Sequence, residues 1–109
     1  MPTIEETFDA LQGRFIADKA AGIDAVIQWE IGGDGGGTWH GVIKDSACTI
    51  NQGPASNPDL TMQLSVQDWF DMNEGKKTRQ MLFMTGKLKL KGEMTLALKL
   101  GGLFQSPKG

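Results

Sequence analysis

From Ile23 to Ile31 and again from Trp39 to Ile43, every second residue is apolar or glycine, and the two runs flank Gly32-Gly33-Asp34-Gly35-Gly36-Gly37. Side chains two residues apart share one side of a strand. Ile23, Ala25, Ile27, Trp29 and Ile31 therefore share a face, as do Trp39, Gly41 and Ile43. Glycine reaches positive φ at little cost, so the glycine run reads as the connection of a β-hairpin. A hairpin with one apolar face must bury it against something, and the rest of the chain has to supply the cover.

More strands follow the hairpin. Asp45-Ser46 reads as a second turn, and Cys48 and Ile50 as a third strand. Gly53-Pro54-Ala55-Ser56-Asn57-Pro58 reads as a loop, because two prolines in five residues suit neither a helix nor a central strand. Leu60, Met62 and Leu64 alternate with polar residues as a fourth strand. In Lys87-Leu88-Lys89-Leu90-Lys91 the lysines and leucines take opposite faces. This predicts a fifth strand with its lysines toward solvent and Leu88 and Leu90 toward the interior.

Other segments have helical spacing. Thr3 and Glu6 form a capping box, and Ile4, Phe8, Leu11 and Phe15 share one helical face. The predicted helix runs from Ile4 to Ala21, with Gly22 ending it. Ser65 and Asp68 resemble a second cap, before a short helix through Trp69, Phe70 and Met72 that ends near Gly75. Lys76-Lys77-Thr78-Arg79 reads as a charged, exposed segment, and Met81, Leu82 and Phe83 as a further helical turn. The segment after Gly92 fits two patterns. Met94, Leu96, Leu98 and Leu100 alternate, whereas Leu96, Leu100, Leu103 and Phe104 form a helical stripe beside a second one of Met94, Ala97 and Leu98. Pattern does not decide between them; the abundance of Leu, Ala, Met and Lys favours helix.

The chain's 109 residues amount to one domain, 1–109, with one core. A net charge of −2 argues against a nucleic-acid partner, which calls for an electropositive footprint. One cysteine excludes an internal disulfide framework. The first residues lack the pattern of a secretory signal, no apolar run reaches 18 residues, and the end is not Ser-Lys-Leu, so the expected location is cytoplasmic. His40, the only histidine, has no identifiable nucleophile to serve and is expected to face solvent. Cys48 reads as a small buried thiol. The glycine run lacks the Gly-Lys-Ser/Thr of a phosphate loop and leads into a strand. No catalytic residue, metal site or cofactor is predicted. What remains is an excess of apolar side chains, which a core alone could absorb.

Gly86-Lys-Leu-Lys-Leu-Lys-Gly-Glu-Met94, with Leu96-Ala-Leu-Lys-Leu100 behind it, resembles the signature region of the sterol carrier protein type 2 family. The glycine turn with Trp39, the turn at Val42–Asp45, Gly53, Pro58–Met62, Ser65, Trp69-Phe70 and Gly75 fall where that family carries similar elements. Ser46 departs from the glycine common in the second turn. The ending differs from peroxisomal members and is closer to a stand-alone prokaryotic version.

The resemblance implies an α+β domain with a five-stranded, mainly antiparallel sheet and helices covering one face. The order is N-terminal helix, strand meander, crossover, two further strands and a C-terminal helix. It also implies a carrier without catalytic residues that holds a fatty acid, acyl-CoA, phospholipid or sterol-like molecule in a tunnel between sheet and helices. The residues then expected to meet lipid are Phe8, Leu11 and Phe15 of the first helix, Trp29 of the first strand, and Trp69 and Phe70. Met81 and Leu82, Leu88 and Leu90, and Met94, Leu98, Leu103 and Phe104 complete the set. Gly101-Gly102 is expected to hinge the last helix as a lid, and the Lys87–Lys91 face to permit transient membrane contact. Two other readings stay open: an interaction domain that uses the same apolar groove for a partner, and a hydrolase or isomerase that depends on His40.

Overall fold

A computed structural model describes residues 3–105. Five strands form one sheet: β1 (Ala25–Gly32), β2 (Gly37–Lys44), β3 (Ala47–Gln52), β4 (Leu60–Ser65) and β5 (Lys89–Gly92). Their order is β3-β2-β1-β4-β5. Neighbours pair antiparallel except β1 and β4, which run parallel with Trp29 opposite Met62. The sheet is thus mixed but mainly antiparallel, as expected. Four helices accompany it: α1 (Ile4–Gly13), α2 (Val66–Asn73), α3 (Arg79–Met84) and α4 (Met94–Leu103).

The predicted turns occur where their residues demand them. Asp45 and Ser46 both take positive φ, 53° and 59°, as a two-residue hairpin turn of this hand requires. At Gly36 a Cβ would run into the carbonyl of Ile31, so the glycine loop is tight as well as flexible. Both predicted caps form: Thr3 and Glu6 exchange bonds of 3.2 and 2.9 Å, and Ser65 Oγ accepts from Asp68 N at 3.1 Å.

The first helix is shorter than its sequence pattern. It stops at Gly13, and only a short 3-10 turn over Ala17–Lys19 follows. The reason is competition for the backbone. Phe15 makes a bridge with Phe104, Ile16 N–H donates to Leu103 O at 2.7 Å, and Gln105 N–H donates to Arg14 O at 2.8 Å. These long-range bonds replace the local ones that would have continued the helix.

The ambiguous last segment is helical, with Leu96, Leu100 and Leu103 inward at spacings of four and three. Met94 and Leu98, on the other stripe, are exposed. Gly101 and Gly102 lie within this helix, not at a hinge, and the segment just beyond them is tied to Arg14–Ile16. The hinge expected at Gly101-Gly102 is continuous helix instead.

The sheet's two faces differ as the alternation requires. Ile27, Trp29, Ile43, Leu60 and Met62 are buried toward the helices. The opposite face carries Gln28, Glu30, His40, Gln63, Lys89 and Lys91; both lysines are exposed. Glu30 accepts from Gln28 and Gln63 at 2.8 and 2.6 Å, and these bonds hold its carboxyl below the usual range.

At the centre of the core Phe8 lies between two indoles. It stacks on Trp39 at 4.7 Å and on Trp69 at 4.6 Å, and meets Trp29 tilted at 5.4 Å. The Trp69 N–H donates to Thr7 Oγ1 at 2.8 Å, and the Thr7 hydroxyl donates to Ile4 O at 2.6 Å. Phe8→Ala should lower stability by about 3–5 kcal/mol, the usual cost of truncating a buried Phe. Urea unfolding followed by tryptophan fluorescence would measure it; a loss under about 1 kcal/mol would show that the cluster tolerates the vacancy.

Candidate functional site

A cavity of about 410 Å³ lies between the sheet and the helices. Trp29 of β1 and Met62 of β4, neighbours across the parallel pair, contribute the sheet side. Leu11 of α1, Trp69, Met72 and Asn73 of α2, and Leu100 and Gly101 of α4 contribute the helical sides. The connection into α3 adds Gly75, Lys77, Thr78 and Arg79, while Arg14, Phe104 and Gln105 line it where the chain ends meet. The lining is chiefly apolar, with a few polar groups gathered in two places, which is the usual make-up of a small-molecule site.

The polar groups differ in how they are held. Arg14 donates from Nε to Gln105 O at 3.2 Å and from Nη2 to Asn73 Oδ1 at 3.3 Å. Lys77 Nζ meets Asp68 Oδ1 at 3.1 Å and Asp71 Oδ2 at 3.3 Å. The Asp71 carboxyl is held below the usual aspartate range, first by the hydrogen bond from Gln67 and then by Lys77. The same partners, Asp68 ahead of Asp71, raise the Lys77 ammonium above its ordinary value. Lys76–Arg79 is therefore not a uniformly solvated stretch: Lys77 turns back onto α2, and Arg79 faces the cavity.

Of the residues predicted to meet lipid, Leu11, Trp29, Trp69 and Phe104 line the cavity. Phe8 sits behind the indoles, and Leu82, Leu88 and Leu103 fill the core. Phe15 packs edge-on against Phe104 at 5.6 Å, and Leu90 is half-buried against the core. Phe70 lines a separate groove with Thr3, Asp34 and Trp39. Met81, Met94 and Leu98 are exposed, Leu98 by 84%.

Also on the cavity, but not among the residues expected to meet lipid, are Arg14, Met62, Met72, Asn73, Gly75, Lys77, Thr78, Arg79, Leu100, Gly101 and Gln105. Helical spacing did hold a signal for four of them: Arg14 is three residues from Leu11, Met72 and Asn73 are three and four from Trp69, and Leu100 is four from Phe104, so each shares a face with a cavity residue.

The remaining candidates for chemistry have structural surroundings. His40 Nδ1 lies 2.8 Å from Gly53 O and donates to it, which ties β2 to the loop after β3. Burial pushes the Cys48 thiol up to about 11, away from reactivity at neutral pH. Among the described residues, no group of three or more His, Cys, Asp or Glu side chains is placed to hold a metal ion.

Sheet, covering helices and a half-open, largely apolar cavity make an α+β domain with room for a small molecule. The chain belongs to the SCP-2 sterol transfer family, whose model matches residues 8–105. It is 40% identical over 102 residues to hydroxysteroid dehydrogenase-like protein 2 of Bos taurus, a match that covers 93% of this chain and 24% of the cattle protein. The chain thus spans about a quarter of that relative's length. Among solved structures, sterol carrier protein 2 of Yarrowia lipolytica in its apo form aligns with a TM-score of 0.64 at 30% identity, over 77% of this chain and 75% of that one. The palmitated SCP2L2 of Aedes aegypti aligns with a TM-score of 0.76 at 24% identity, over 91% of each chain.

The ion pairs around Lys77 generate a pH test. Asp71's depressed value means its contribution is present above the ordinary aspartate range near 3.9 and is lost as pH falls through the lower folded value. Lys77→Met should therefore lower the urea midpoint at pH 7, and the deficit should shrink once pH falls below that folded value. A deficit unchanged down to pH 2 would assign the loss to packing of the lysine stem instead.

Proposed function

We propose that this chain is a non-catalytic lipid carrier whose ligand occupies the cavity between β1, β4 and the helices. The carrying observation is the cavity itself: about 410 Å³, largely apolar, and set in a member of a sterol transfer family. The volume lies within the roughly 300–1,000 Å³ usual for small-molecule sites. Burying ten methylenes contributes about 8 kcal/mol, in the micromolar range before ordering costs are subtracted. That strength suits a protein that must release what it binds. A fatty acid, an acyl-CoA's acyl part or a sterol-like body meets the apolar requirement. The palmitated Aedes aegypti SCP2L2 supports an acyl ligand, since it shares the fold of this chain.

Exposed apolar side chains give loading a place to begin. Met84 is 76% exposed and Phe83 49%, both on α3, the helix that opens with the cavity residue Arg79. Transient contact of α3 with a lipid surface would bring the cavity close to its cargo.

Trp29 and Trp69 both line the cavity, so an acyl chain entering it should change tryptophan emission. Titration with palmitate or with a sterol should give a saturable change in the micromolar range, and native mass spectrometry should show a lipid adduct. A protein that remains apo and spectrally unchanged with both ligands overturns the carrier reading. A specific protein complex formed by that apo protein would favour an interaction domain.

A further inference from the structure

Among the described residues, the cavity lining contains three cations, Arg14, Lys77 and Arg79, and no Asp or Glu. Two of the three have partners in the protein. Lys77 is paired with Asp68 and Asp71, and Arg14 donates to Asn73 and to the Gln105 carbonyl. Arg79 has neither an ion pair nor a side-chain hydrogen bond among the described residues. A guanidinium presents five donors in a planar fork suited to a carboxylate or phosphate. Half-buried on an apolar cavity, that fork has given up part of its water without a side-chain partner among the described residues. Desolvation accordingly lowers the Arg79 pKa from its ordinary value.

The neighbouring helix passes close to this side chain. Gly101 lies inside α4, where glycine is a poor helix former. A Cβ at that position would lie 2.7 Å from Arg79 Nη2, inside contact distance. Its φ is not in the left-handed region, so the conformation alone does not require glycine. Glycine here lets the guanidinium lie against the helix at the edge of the cavity.

We infer that Arg79, seated against Gly101, anchors the anionic head of the ligand, so that the cavity selects acyl chains ending in a carboxylate or phosphate over neutral lipids of equal length. This rests on the carrier reading and adds a specificity-determining residue to it. The acyl body supplies affinity by leaving water; the anion satisfies the cavity cation left unmatched among the described residues.

The experiment compares palmitate and a monoacyl phosphate with 1-hexadecanol, by titration of wild type, Arg79→Gln and Gly101→Ala. Wild type should bind at least one anion about tenfold or more tighter than the alcohol, and the better anion identifies the head group. Arg79→Gln should remove that preference while leaving 1-hexadecanol binding within about twofold. Gly101→Ala should raise thermal stability, because alanine favours helix, yet weaken anion binding by displacing the guanidinium. Equal affinity for acid and alcohol in wild type, or an unchanged preference in Arg79→Gln, overturns the assignment and leaves the carrier reading intact. Failure of wild type to bind any of the three probes overturns both.

Discussion

Phe8 stands between the faces of Trp39 and Trp69, and this three-ring stack holds the helical layer to the sheet. One ring comes from α1, one from β2 and one from α2, so a single contact joins elements far apart in sequence. Trp69 is fixed further by its N–H bond to Thr7, one residue before Phe8. Such offset-stacked aromatic pairs contribute roughly 0.5–1.5 kcal/mol each beyond the apolar area they bury. The cavity lies beside this stack and shares Trp69 with it, the rest of its wall including Trp29, Met62 and Leu100.

The second constraint is the junction between Arg14–Ile16 and Leu103–Gln105. Ile16 and Leu103 share one backbone bond, Arg14 and Gln105 another, and Phe15 packs on Phe104. This junction sits beside the cavity and contributes Arg14, Phe104 and Gln105 to it. Shortening α1 at Gly13 is what frees the Arg14–Ile16 backbone to pair. The wall at this end is therefore a backbone-bonded unit, while α3 carries the exposed Met81, Phe83 and Met84.

The sheet was legible because its determinants are local. Alternation at Ile27, Trp29, Ile43, Leu60 and Met62 assigned a buried face residue by residue, and Asp45-Ser46 carried turn chemistry that the backbone confirms. The caps at Thr3 and Ser65 were legible for the same reason. The end of α1 was not. Its apolar spacing continues past Gly13, and the competitor for that backbone lies far along the chain, at Leu103 to Gln105. Likewise Leu98 and Leu100 are the same residue type two positions apart; one is exposed and the other lines the cavity, and only the packing of α4 separates them. Apolar content marked the chain as able to host an apolar ligand, but periodicity does not distinguish a side chain that fills space from one that borders it.

Charges were the least legible part of the candidate site. Lys77 and Arg79 are two residues apart in one basic run, yet the fold gives them opposite surroundings. Lys77 meets two carboxylates on α2 and so stabilises the connection that borders the cavity. Arg79 is turned toward apolar walls, on a helix whose first turn is where a cation is least favoured by the backbone dipole. A sequence shaped for stability alone would place an apolar or acidic residue there and alanine at position 101. Local rules broken at two touching positions, both on the cavity, are what the proposed anion anchor requires, with stability given up for a group that is satisfied when a ligand arrives.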